Sequence, residues 1–136
     1  MKSILATLSI AALVAVAPAQ AGSGASVIIR HQVRGCHSWS VNGGPFKASQ
    51  TMRVERGTTV TFTNNDVMPH TLVKTSGPAL KIQHAKMGHM SATARLVFSH
   101  PGVYKLTTKA GEDYPTMRTM KTIGEDNVLR LIVRVS

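Results

Sequence analysis

Apolar and polar residues alternate with a period of two along most of this chain, and a helical period is nearly absent. Val60 and Phe62 sit between Thr59, Thr61 and Thr63. Ala94, Leu96 and Phe98 are spaced by Arg95 and Val97 up to Ser99, and Leu129, Leu131, Val133 and Val135 are interrupted by Arg130 and Arg134. Successive side chains of a strand point to opposite faces, so each segment reads as a strand with one face buried. Val27–Val33, Met52 with Val54, Thr71–Lys74 and Val103–Thr107 add further candidates, separated by turn signals at Glu55-Arg56-Gly57 and Pro101-Gly102. About seven strands in a chain of this size predict an all-β sandwich or barrel. Gly35–Gln50, Ser76–Ser91 and Lys109–Asn127 are not strand-like. Connections of that length usually carry function.

The start of the chain has a different pattern. Met1-Lys2-Ser3 leads into an apolar run, Ile4–Val16, and then into Pro18-Ala19-Gln20-Ala21. A positive start, a short apolar stretch and an Ala-x-Ala end predict a secretory signal peptide over 1–21, leaving a domain over 22–136 in the periplasm or outside the cell. The apolar run is too short to be a comfortable membrane span, so no transmembrane segment is expected once the signal is removed. The whole chain carries 16 Lys and Arg against 6 Asp and Glu. An exported chain with dispersed basic residues is poorly suited to nucleic acid and better suited to an acidic partner protein or an anionic surface. One cysteine, Cys36, excludes an internal disulfide. No nucleophile–base arrangement, phosphate loop or His-Glu-x-x-His motif is present, which argues against a hydrolase and for a protein that is not an enzyme.

The stretch Arg53–His70 resembles the signature of the cupredoxin family. There a glycine turn leads into a V-x-F-x-N strand, here Val60-Thr61-Phe62-Thr63-Asn64, and a histidine, here His70, follows the Asn65-Asp66 turn. Phe98–Tyr104 resembles the family's F-x-x-P-G-x-Y hairpin, and Leu129–Val135 its closing strand. The resemblance implies a Greek-key β-sandwich of seven to eight strands with a copper site among the loops at one end. It also exposes a departure. Blue copper proteins place a cysteine, a histidine and usually a methionine after the hairpin, where this chain reads Lys105-Leu106-Thr107-Thr108-Lys109 and has no histidine after His100.

Only His70 carries over as a ligand. The fold that the resemblance implies brings three other segments to the same end. They hold Gly35-Cys36-His37-Ser38-Trp39, His84-Ala85-Lys86-Met87-Gly88-His89-Met90, and Met117 with Met120. Thiolate, thioether and imidazole together suit copper, Cu(I) above all, better than Mg²⁺ or Ca²⁺. The expected site is one copper ion on Cys36, His37 and His70 with Met90 as a weak fourth ligand, and Met87 and His89 as a second or outer site. Each has a plainer reading. Cys36 would serve equally as a small buried hydrophobe, His37 and His70 as loop histidines, and the Met/His tract as an exposed polar loop. Met68, Met117 and Met120 read more readily as core packing, and Trp39 as packing or a shield. Gly-Glu-Asp occurs at Gly111–Asp113 and Gly124–Asp126, holds four of the six acids, and reads as turns answering nearby Lys and Arg.

The expected function is copper handling (trafficking, buffering or resistance), with docking to an acidic copper-transfer or redox partner. A single-electron carrier working between Cu(I) and Cu(II) is the first alternative. A sandwich that has lost its metal and acts as a binding module is the second, and Thr108 in the place of the family's cysteine favours it.

Overall fold

The structure, a computed structural model, describes residues 24–32, 36–110 and 128–136. The expected signal peptide, the methionines Met117 and Met120 and both Gly-Glu-Asp segments lie outside these residues. Among the described residues the secondary structure is all strand, and no helix is long and apolar enough to cross a membrane. The strands are β1 (Ala25–Gln32), β2 (Cys36–Val41), β3 (Ser49–Val54), β4 (Thr59–Asn65), β5 (His70–Ser76), β6 (Ile82–Gln83), β7 (Lys86–Met87), β8 (Thr93–Val97), β9 (Gly102–Ala110) and β10 (Arg130–Val135).

They form two five-stranded sheets, one in the order β2-β1-β4-β8-β6 and the other β3-β10-β9-β5-β7. The pairs β1–β4 and β3–β10 are parallel, so the chain crosses between sheets instead of folding hairpin by hairpin. This is the Greek-key sandwich expected. The period-two segments behave as strand physics requires. In β4 Val60, Phe62 and Asn64 are buried and the threonines only partly so, while β8 buries Ala94 and Leu96, and β10 buries Leu131, Val133 and Val135. Removing side chains of this size from water is worth roughly 1.5–3 kcal/mol each, which holds the sheets together against chain entropy.

Two stretches expected to lack strands contain them. Gly35–Gln50 holds β2, which pairs antiparallel with β1, and Ser76–Ser91 holds the two-residue β6 and β7. The serines of β2 are buried but satisfied: Ser38 Oγ donates to the Arg30 carbonyl at 3.5 Å and Ser40 Oγ to that of Gly44 at 2.6 Å.

Candidate metal centre

The inner face of the first sheet changes character along its length. One row across β2, β1 and β4 is Val41, Val27 and Phe62; the next is Trp39, Ile29 and Asn64; the row after that begins with His37 and His31. The same alternation that fills the core therefore carries two imidazoles onto its rim. Asp66, two residues past Asn64, lies beyond the end of β4. The second sheet changes in the same way. Leu106 and Leu72 give way to Thr108 on β9 and His70 on β5.

These polar ends meet. His37 Nδ1 lies 2.8 Å from Asp66 Oδ2, and His70 Nε2 approaches the same oxygen at 3.2 Å. His31 Nδ1 is 3.8 Å from Asp66 Oδ1. The His37 and His70 rings stand edge to face with centroids 4.8 Å apart. Asp66 and His70 have no solvent exposure and His37 has 2%, whereas the side chain of His31 is 48% exposed. A buried carboxylate joined to imidazoles from both sheets closes one end of the core.

The carboxylate also shows where the protons lie. Burial by itself would raise the Asp66 pKa. The Met68 backbone N–H, donating to Oδ1 at 3.0 Å, and the hydrogen bonds from His37 and His70 outweigh it and hold the carboxyl below its usual value. An ionised carboxylate only accepts, so the network assigns the proton to Nδ1 of His37 and to Nε2 of His70. In its neutral form His70 then accepts at Nδ1 from the Thr108 hydroxyl, 3.1 Å away.

Asn64 fixes the surrounding loops. Its Oδ1 accepts from the Asp66 N–H at 2.9 Å, and its Nδ2 reaches the carbonyls of Met68 at 2.9 Å, Met87 at 3.1 Å and His89 at 3.4 Å. One side chain thus ties the turn that carries Asp66 to the segment that carries the methionines.

The residues singled out from the sequence fall into three groups. His37 and His70 are brought together. Met87 is fully buried in the core, paired in register with His70, and His89 and Met90 lie outside the cluster, with Met90 53% exposed and His89 Nδ1 bonded to the Met90 carbonyl at 2.8 Å. Cys36 heads β2, and its side chain lies outside the described residues. Sequence reasoning missed His31 and Asp66. His31 was legible, because the inward series Val27, Ile29 continues to position 31. Asp66 has the local pattern of an ordinary turn residue.

The donors suit a metal ion. Two atoms bound to one ion at roughly 2.0–2.2 Å lie at most about 4.4 Å apart, and about 3.4 Å apart in a tetrahedron. The His31–Asp66 separation of 3.8 Å lies within that limit, and an ion on His37 Nδ1 and Asp66 would take the place of the proton that now joins them at 2.8 Å. His31, His37 and Asp66 offer donor atoms all within 4.8 Å of one another. Imidazole nitrogen with carboxylate oxygen suits Cu(II) or Zn²⁺.

The V-x-F-x-N strand is β4, the closing strand is β10, paired with β9 and β3, and Phe98–Tyr104, expected as a hairpin, instead crosses from β8 in the first sheet to β9 in the second. The sandwich is cupredoxin-like. No protein-family model matches the chain, and no curated protein does. Among solved structures it is similar to a purple cupredoxin from Nitrosopumilus maritimus, at 22% identity over 82% of this chain and 98% of that one, with a TM-score of 0.47. It is also similar to a reduced amicyanin variant, at 18% identity over 88% and 95% of the two chains, with a TM-score of 0.46. A Cu(I) amicyanin variant gives 16% identity over 88% and 95%, with a TM-score of 0.45. Likeness at this level leaves the question of what the site binds to the site itself.

Proposed function

We infer that the protein is an exported copper-binding protein that works by holding and passing on one ion, without catalysis. His31, His37 and Asp66 are the ligands, and His70 steadies the same carboxylate from the second sheet. The observation that carries this reading is the buried Asp66 carboxylate with three imidazoles of the cupredoxin-like sandwich around it. The choice of copper over zinc rests on the resemblance of Arg53–His70 to the cupredoxin signature, since the donor atoms by themselves suit either ion. A site with one ligand open to water at His31 favours loading and release, and hence copper handling in the periplasm or outside the cell. Electron carrying is the alternative, and the Cys36 sulfur, next in sequence to His37, is the group on which it turns.

The contact between His70 Nδ1 and Thr108 favours a second reading. It joins the family's histidine to the residue standing where the family has cysteine, so that place is filled by a hydrogen bond. A sandwich sealed in this way would serve as a metal-free binding module.

Copper counted per purified chain after loading and dialysis separates these readings, with zinc as competitor. One copper per chain, lost in Asp66→Asn and weakened in His31→Ala, is expected. A strong thiolate-to-copper band that disappears in Cys36→Ser would move the assignment to an electron carrier. Copper unaffected by Asp66→Asn overturns this ligand set, and no stoichiometric copper at all overturns the copper reading and leaves the binding module.

A further inference from the structure

The two outer faces of the sandwich differ in charge. Strands β3, β5, β9 and β10 of the second sheet contain no Asp or Glu. Their outward positions carry Arg53, Lys105, Lys109, Arg130 and Arg134, all exposed. Arg134 pairs directly with Arg53, and Ile132 with both Thr51 and Lys105. Like charges placed opposite each other across strands repel. Every ion pair among the described residues involves the buried Asp66, so none neutralises this face. The strands of the first sheet also lack acids but carry fewer outward cations: β4 presents Thr59, Thr61 and Thr63, Arg30 of β1 is stacked 4.9 Å over Phe46, and Arg95 stands on β8.

We propose that the outer face of the second sheet is a docking surface for an acidic protein. Val103 on β9 is 42% exposed opposite Arg134, Ile132 on β10 is half-buried between Thr51 and Lys105, and Val73 on β5 is 37% exposed opposite Thr107. Aliphatic groups interleaved with cations match a protein surface on which carboxylates and small apolar groups are mixed, and arginine forks pair with carboxylates at two points. A lipid headgroup layer would use the charge and leave the aliphatic groups unmatched. Shallow grooves of about 420 and 380 Å³ run on either side of Arg130 and Ile132, with Lys105 lining one and Lys47 the other, and they give acidic side chains places to seat. Strands about 4.8 Å apart make the face roughly 15 Å across, a size that suits a brief, electrostatically steered encounter. The face stands on charge and shape and does not depend on what the metal centre binds.

The test is amide-shift mapping of the full chain titrated with a polyglutamate peptide, with phosphatidylserine vesicles as a second probe. Saturable shifts on β3, β9 and β10 are expected, weakening steeply as salt rises. Arg53→Gln with Arg134→Gln should weaken the peptide about five- to tenfold, and Arg30→Gln with Arg95→Gln on the first sheet should leave it unchanged. Unfolding midpoints within a degree or two of the parent show that the variants are folded. Shifts spread over both sheets, equal losses from both pairs of variants, or binding to vesicles alone would overturn the proposal. So would peptide shifts that appear only once the four acids between 111 and 127 are neutralised, which would assign the face to the chain itself.

Discussion

Asp66 is held by everything around it, and its charge is therefore coupled to folding. Its pKa is lowered in the folded chain, and that of an unfolded aspartate is about 3.9. The unfolded state then takes up a proton first as pH falls. The stabilisation is fully present above pH ~4 and is lost as pH falls through the lower, folded value. Urea midpoints measured from pH 7 to pH 2.5 should fall below pH ~4, and Asp66→Asn, which has no proton to gain, should flatten that part of the curve. A variant with the parent's acid limb would show that other carboxyls set it. Asp66→Ala removes the acceptor for two buried imidazole N–H groups and should destabilise by about 2–4 kcal/mol, read from the same unfolding curves at pH 7.

The elements meet the site through connections as much as through strands. Asn64 at the end of β4 bonds the loop before β5 and the segment around β7. Asn64→Ala leaves buried carbonyls without donors and should lower stability by about 2–4 kcal/mol, with faster amide exchange at Met68, Met87 and Ser91 than elsewhere. At the far end, Gly77 follows β5 with φ +114°, and a Cβ there would stand 2.7 Å from the Val103 carbonyl oxygen and 2.8 Å from the Tyr104 Cα. Gly77→Ala should therefore cost at least about 2 kcal/mol in chemical denaturation, since both contacts are backbone and β9 is anchored in the sheet. The sequence showed the strands whose buried side is apolar, because burial leaves a period-two trace. It hid β2, where Ser38 and Ser40 are buried through hydrogen bonds and Asn42-Gly43-Gly44-Pro45 reads as a loop. His37 and His70 were legible as chemistry. Asp66 was not, because its burial comes from the meeting of two sheets, and nothing local marks it.

On the scale of the molecule, the centre lies where the sheets close on each other. His31 and His37 come from one sheet, His70 from the other, and Asp66 from the crossing between them. An ion held there would bind the native sandwich and find no such arrangement in the unfolded chain. Binding should then raise the stability of the whole domain and not loosen one edge of it. At a free Cu(II) concentration about a hundred times the dissociation constant, linkage gives roughly 2.7 kcal/mol, a shift of several degrees or more in the unfolding midpoint. Far-UV circular dichroism is the suitable readout, because copper near His37 would quench Trp39, the lone tryptophan, two residues along β2. Asp66→Asn should abolish the shift while keeping the fold. His31→Ala should reduce it, since that ligand is half in water and its loss leaves the buried donors in place. If the midpoint does not move with copper, the His–Asp–His cluster is a polar lock between the sheets, and its work is done by the hydrogen bonds it already makes.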